Sequence, residues 1–399
     1  MKIICCGDLH LGRISSVPED IEDRDRFSAE KMWLKLGDKC KEEEADALLI
    51  AGDVLDKDNT FFTSRKLLEP GLRRISETSA VVIIPGNHDR DQIKKICDII
   101  SLPNVHVIGC GCKWERFDLK GLPVWGFGFD KEEYKRDPFC DRSAKKIDDD
   151  KYILMVHGDY TGTGGKYAPF AGSMGSDLIK NSVLTIAGHI HKTDRKGNFI
   201  NVGSPLAFDF GELGPHGIYI AELDDDFNLC DVRFDRFSDV YYDRKEIDLT
   251  DMGDMSLGDM VNKSLEKKAL CTYYRINFTG RTDIDIKEEL SDLEEADGYI
   301  SEGIYIDTQN IGNYVLKEWD LLSMSSQKNG AGIVAKMLLS MEKGIFAEDY
   351  GNMLESFRKD SEEYVKDINK NICEWTDEEL ICFIKSALID ILNTRKGEE

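Results

Sequence analysis

No apolar run in this 399-residue chain approaches the ~20 residues that a transmembrane helix needs. The opening Met1-Lys2-Ile3-Ile4-Cys5-Cys6-Gly7 meets an acid at Asp8, too early for the apolar stretch of a secretory signal, so a cytoplasmic protein without membrane attachment is expected. Paired cysteine spacing is missing as well. The eleven cysteines are odd in number and scattered; Cys5-Cys6 lies in an apolar run, and Cys110-x-Cys112 lacks the two-residue gap of a zinc knuckle. Reduced, mostly buried thiols are the expectation. Basic charge is in deficit: 52 Lys and Arg against 76 Asp and Glu leave a net charge of -24. Such a chain does not coat nucleic acid by bulk attraction. Screening confines exposed charges to ~8 Å, however, so local binding of an anion is still open. Repeats at solenoid period and low-complexity segments are absent too.

What the chain has is a recurring phrase. A short, apolar, β-branched run is followed by Gly and then by metal-ligating residue types. It occurs at Ile3-Ile4-Cys5-Cys6-Gly7-Asp8-Leu9-His10, at Ala47-Leu48-Leu49-Ile50-Ala51-Gly52-Asp53, and at Val81-Val82-Ile83-Ile84-Pro85-Gly86-Asn87-His88-Asp89. It returns at Ile153-Leu154-Met155-Val156-His157-Gly158-Asp159 and Leu184-Thr185-Ile186-Ala187-Gly188-His189-Ile190-His191. Continuous apolar runs of this length read as strands buried on both faces. The glycines let the chain turn as it leaves each strand, which gathers the polar groups where strand ends meet. Between the runs, helices are expected over 26–45, 61–78 (with Pro70 breaking it) and 91–100. Further strands are expected near 217–223 and 229–237.

A boundary is expected near 250, giving units at 1–245, 250–320 and 323–399. The middle unit reads as a small α/β module, with strands at 272–278 and 303–306 and a helix at 285–295. The last is helical and acidic. Thr376-x-x-Glu379 forms a capping box, and Leu380, Ile384, Ala387, Leu388 and Ile391 share one face, either core-facing or docking a partner.

Seven histidines occur in the chain, and five of them (His10, His88, His157, His189, His191) sit at these strand ends beside Asp8, Asp53 and Asn87. Histidine with hard oxygen ligands and no thiolate suits manganese or iron better than zinc. In Asp8-x-His10 and His189-x-His191, an extended chain would point both side chains to one face. Asp53 has two oxygens with which to bridge two cations. Two adjacent cations can clamp the attacking and leaving oxygens of an in-line phosphoryl displacement and acidify a water. With Asn87 contributing a neutral oxygen, such a site keeps net positive charge and attracts an anionic phosphodiester. His88 follows Asn87 directly and should point away from the ligands, toward the scissile phosphate or leaving oxygen. Asp89 either fixes the tautomer of His88 or caps the helix that follows. Asp56 reads as a residue behind the ligands or in a turn. Gly162-Thr163-Gly164-Gly165-Lys166 is not a Walker loop, because Tyr160 and Tyr167 stand where Gly and Ser or Thr are needed.

The ordered set Gly-Asp-x-His, Gly-Asp-x-x-Asp, Gly-Asn-His-Asp, a strand-end His and Gly-His-x-His resembles the calcineurin-like metallophosphoesterases. Asp8-Leu9-His10-Leu11-Gly12 and Gly203-Ser204-Pro205-Leu206-Ala207-Phe208-Asp209-Phe210-Gly211-Glu212 are similar to the nuclease subunit of SbcCD-type DNA repair exonucleases. The resemblance covers residues 1–240 and departs at Val202 and over 159–180. It implies an α/β fold: a four-layer αββα sandwich with a small α/β cap and a helical C-terminal tail. It implies one metal on Asp8, His10, Asp53 and His191, and a second on Asp53, Asn87, His157 and His189. His88 is then the non-ligating catalytic histidine, with Asp89 beside it. The implied cofactor is two divalent ions, manganese first, with iron or magnesium as alternatives. The implied activity is metal-dependent DNA exonuclease, with endonuclease activity an extension, on DNA as a homodimer with an SMC-like coiled-coil ATPase. The competing expectation is a phosphoesterase for a small nucleotide or phosphoester.

Overall fold

The computed structural model describes residues 1–315 other than 20, 132, 163–164, 251–254, 281, 283–285, 290–297 and 314. The expected tail over 323–399, with its capping box, lies outside the described residues. The chain divides into two units, one of Met1–Asp243 with Lys267–Tyr273, the other of Arg244–Glu266 with the described residues from Tyr274 onward.

The first unit is an α/β sandwich built on two six-stranded sheets. One sheet contains β1 (Lys2–Cys6), β2 (Ala47–Ile50), β3 (Ala80–Ile83) and β4 (Val105–Val107), all parallel. The other contains β5 (Glu115–Leu119), then parallel β6 (Leu122–Phe127), β7 (Ile153–His157) and β8 (Leu184–Gly188), with β9 (Asp194–Lys196) and β10 (Phe199–Asn201) at its far edge. A hairpin of β11 (Gly217–Leu223) and β12 (Leu229–Arg236) returns to the first sheet, where β11 lies antiparallel to β1. The strand order is β12-β11-β1-β2-β3-β4 in the first sheet and β5-β6-β7-β8-β10-β9 in the second.

Alternation along the strands explains the layers. Ile3, Cys5, Leu49 and Val82 meet Val124, Ile153, Met155 and Ile186 in one buried core between the sheets. Their neighbours Ile4, Leu48 and Val81, also fully buried, point to the opposite face of the first sheet. The crossover helices α1 (Ala29–Glu42), α2 (Phe61–Ser76) and α3 (Arg90–Ile100) accompany that face. On the outer face of the second sheet, Trp114, Trp125, Phe127, Leu154, Val156 and Phe199 pack with Phe139 and Phe170 under short 3-10 turns and α4 (Asp177–Asn181).

Pro70 does not break α2, which runs unbroken from Phe61 to Ser76. Tertiary packing outweighs the lost N–H. Leu68, Leu72 and Ile75 are fully buried, Gly71 leaves space for the indole of Trp33, and Trp33 Nε1 donates to the Leu68 carbonyl at 3.1 Å.

The second unit is built on a sheet of order β13-β14-β16-β15, made of β13 (Val240–Asp248), β14 (Cys271–Thr279), β15 (Tyr299–Ser301) and β16 (Ile304–Ile306), with β17 (Gly312–Asn313) beside β14. Helices α5 (Leu257–Ser264) and α6 (Ile286–Glu289) supply Leu257, Val261 and Ile286 to its core of Ile247, Tyr274, Ile276 and Phe278. The described cysteines are all free, with Cys5, Cys6, Cys40, Cys97 and Cys271 buried. Among the described residues no helix is long and apolar enough to cross a membrane.

Candidate metal centre

The carboxyl ends of β1, β2, β3, β7 and β8 all open onto one place. After β1, β2 and β8 the backbone adopts a conformation that flat extension would not give. Asp8, His10, Asp53 and His189 have φ of 50°, 46°, 50° and 97°. The expectation that Asp8 and His10 share a face because the chain stays extended is therefore replaced by left-handed kinks at both residues. Such conformations are costly for side chains of this size and persist only where surrounding structure enforces them. Close approach is part of that enforcement. A Cβ on Gly52 would collide with the His157 ring, and one on Gly86 would collide with Asp53. Glycine at these positions lets three strand ends touch.

The side chains converge in three overlapping groups, one of them His10, Asp56 and His88. Asp8, His10 and His191 each bring one ligand atom to a common point, and Asp53, His157 and His189 do the same beside it. His10 Nε2 and His191 Nε2 are 3.1 Å apart, and His191 Nε2 is 3.9 Å from Asp8 Oδ1. His157 Nε2 is 3.4 Å from Asp53 Oδ2 and 3.0 Å from Asn87 Oδ1, which is also 3.1 Å from His189 Nδ1. The tautomers of two histidines follow from their partners. His157 Nδ1 donates to the Ala51 carbonyl at 2.8 Å, and His191 Nδ1 donates to the Glu212 carboxylate. In its neutral form each ring therefore turns an Nε2 lone pair into the site, the form in which it can hold a metal.

His88 reaches the same place from the side. Its ring meets the His10 ring edge-on at 4.7 Å, and its Nε2 is 4.0 Å from Asp53 Oδ2. It is about one-quarter exposed, whereas Asp8, His10, Asp53 and His157 are buried. Asp56 stands behind His10, with Oδ2 3.8 Å from His10 Nδ1.

Asp89 takes neither role expected of it. Its side chain caps no helix N–H, and His88 Nδ1 has no hydrogen-bond partner. Instead, one Asp89 oxygen accepts from Gly86 N at 2.7 Å, and the other from Val54 N at 2.7 Å and Leu55 N at 3.3 Å. It clamps the loop after β2 to the loop after β3. Backbone donors crowded between strand ends outcompete a side chain that points elsewhere. Glu212 is a site residue to which the sequence pattern gave no role. Beyond holding His191, it accepts from Phe208 N at 2.9 Å. Its one signal in the sequence is its place at the end of the Gly203–Glu212 run.

The electrostatics favour positive charge at two points. Burial alone would lower the pKa of His157, but Asp53 beside it overrides burial and raises it to about 9. Burial likewise opposes charging of His191, and the Glu212 hydrogen bond lifts it to about 8. Burial drives His10 down to about 3, and burial with the charge on His157 takes His189 to about 4. Burial raises Asp8 to about 6, with His191 and His157 opposing. Burial would raise Asp53 as well, but His157, His10 and His88 hold it well below the usual carboxylate range. Burial, then Asp53, pushes Asp89 up to about 7. Imidazole nitrogens, carboxylates and one amide oxygen, with no thiolate among them and a buried His10 Nδ1 lacking a hydrogen-bond partner, form a donor set that fits divalent ions.

Residues 1–199 match the family model described as Calcineurin-like phosphoesterase. This part of the chain belongs to that family. Calcineurin-like phosphoesterases are hydrolases of phosphoesters that bind a dinuclear metal, and the two donor groups fit such a centre. The chain is 27% identical over 285 residues to the uncharacterized metallophosphoesterase YhaO of Bacillus subtilis (strain 168), covering 67% of this chain and 68% of that one. It is 24% identical over 260 residues to the SbcD subunit of the nuclease SbcCD of the same organism, covering 54% of this chain and 64% of that one. Among solved structures it resembles a dimetal phosphatase from Danio rerio, at 12% identity and a TM-score of 0.38, over 60% of this chain and 99% of the other.

Proposed function

We propose that this calcineurin-like phosphoesterase is a metal-dependent DNA nuclease that hydrolyses phosphodiester bonds. The observation that carries the hydrolytic reading is the convergence of Asp8, His10 and His191 beside Asp53, His157 and His189. In this reading Asp8, His10, Asp53 and His191 hold one ion, and Asp53, Asn87, His157 and His189 the other. When bound, the ions supply Lewis acidity to the phosphoryl oxygens and lower the pKa of water. The protein's part is orientation. Ala51 and Glu212 fix the ring tautomers of His157 and His191, and Asp89 holds the loops bearing Asp53 and Asn87 at their spacing. His88, at the edge of the site and outside both proposed ion-binding sets, contacts the scissile phosphate or protonates the leaving oxygen.

The choice of DNA is supported by the similarity to the SbcD subunit of the nuclease SbcCD and by the Gly203–Glu212 run that joins the site through His191. On the same grounds a homodimer and an SMC-like ATPase are the proposed partners, manganese the proposed metal, and the cytoplasm the proposed location. One observation favours the second reading, a phosphoesterase for a small nucleotide: a net charge of -24 repels a long polyanion. Assay of the manganese-loaded protein on linear DNA, a simple diester, a cyclic nucleotide and a phosphomonoester separates them. DNA cleavage with the monoester slower by at least about tenfold is expected. Turnover confined to the monoester or the cyclic nucleotide contradicts the nuclease.

A further inference from the structure

Arg13 stands where a negatively charged chain most needs a cation. It follows His10 in a tight turn, with Arg13 N donating to the His10 carbonyl at 3.1 Å. Its guanidinium lies over the Phe208 ring, 4.1 Å from the centroid. The same ring meets the His10 imidazole edge-on at 6.0 Å. Phe208 is thus a platform between the candidate ligand His10 and a cation at the mouth of the site. It is a rigid one: buried, its amide held by Glu212, and its carbonyl accepting from Ser16 N at 2.8 Å and Tyr242 Oη at 3.2 Å. A guanidinium stacked on an aromatic face keeps its in-plane N–H donors free for other partners.

Those donors are little used. Among the described residues the charged partner is Asp209, at 3.8 Å, and no side-chain hydrogen bond from Arg13 is present. Arg13 is one-third and Asp209 one-half exposed, and a pair so open to solvent is weakly held. A planar fork held by stacking and weakly paired suits bidentate capture of a phosphate.

We propose that Arg13 binds a non-scissile phosphate of an oligonucleotide, the one next to the phosphate hydrolysed at the metal centre. This rests on the nuclease reading and names the chemistry of its substrate: a chain of at least two phosphodiesters. Arg13 is then a specificity-determining residue, favouring a polynucleotide over an isolated ester. A purely structural Arg13 would brace Phe208, and its loss would disturb metal binding and every substrate alike.

The test compares wild type, Arg13→Lys and Arg13→Ala as full-length, manganese-loaded protein on a short single-stranded DNA oligonucleotide and on bis(p-nitrophenyl) phosphate. KM for the oligonucleotide is expected to rise about tenfold or more in Arg13→Ala. The expected change in kcat/KM for the small diester is no more than about threefold. The slope of log KM against log salt should fall by about 0.7, the contribution of one phosphate contact on a single strand. Arg13→Lys should keep the salt slope and lose part of the KM effect, because it retains charge without the fork. An unchanged oligonucleotide KM, or equal losses on both substrates, overturns the assignment. A wild type that cleaves the small diester and leaves the oligonucleotide intact overturns the nuclease reading itself.

Discussion

At the scale of single residues, the site separates groups that hold from groups that act. His88 touches the ring of His10 and converges with His10 and Asp56, outside the groups around Asp8 and Asp53 that the proposed function loads with metal. His88→Ala should therefore keep its metal while turnover falls about 10²–10⁴-fold, the range of a lost general acid or base; elemental analysis beside a diester assay reads both. Full activity in that variant would remove His88 from the mechanism. Glu212 acts through His191. Glu212→Gln keeps a hydrogen-bond acceptor and loses the carboxylate charge, so metal affinity should weaken about 10-fold while the fold is kept. Metal titration calorimetry with a thermal melt checks this, and an unchanged affinity would make the contact incidental.

At the scale of elements, the parallel strands of the site were legible because each is a continuous apolar run ending in Gly, and Ile153–His157 and Leu184–Gly188 fall where those runs are. Less legible was anything decided by partners distant in sequence. The backbone N–H groups that Asp89 satisfies at Val54 and Leu55 are more than thirty positions away. The His191–Glu212 bond depends on how the loop after β10 folds back. Pro70 stayed helical because Trp33, from another helix, packs on Gly71. Local pattern carries none of these.

The joint between α1, β1 and β12 offers a test of element packing. Glu43 is held by Arg233 at 2.6 Å, Lys39 at 3.1 Å and Lys2 at 3.2 Å. The Arg233 hydrogen bond, against burial and with help from Lys39 and Lys2, lowers its pKa from 4.5 to about 2. A depressed carboxylate stabilises the fold above its unfolded pKa, and that contribution is lost as pH falls from about 4.5 toward about 2. Glu43→Gln should thus cost about 1 kcal/mol at pH 7, discounted for the exposure of its partners, and progressively less as pH approaches 2. Urea unfolding of both proteins across that window checks the sign. A difference that is constant with pH would contradict it.

At a larger scale, two mixed sheets share one core, and their parallel central strands deliver their ends to one edge. That arrangement reconciles a net charge of -24 with anion chemistry. The acids are spread over the chain, while the strand ends concentrate nitrogen and oxygen donors for cations, and Arg13 sits at the rim. The sandwich and the membership of residues 1–199 in the phosphoesterase family were readable from five strand-end motifs, because a dinuclear centre demands several ligand types in fixed order. Choice of substrate was less readable, because it depends on surface groups such as Arg13 whose neighbours only folding reveals.

Counting bound ions probes the paired centre without passing through any choice of substrate. Full-length wild type and Asp53→Ala, both purified folded and equilibrated with manganese, are counted for ions per chain by elemental analysis. Two bound ions per wild-type chain are predicted, with one or none in Asp53→Ala because the bridging carboxylate is gone. An active wild type holding a single ion, or an Asp53→Ala chain that still holds two, would contradict a pair of cations bridged by Asp53.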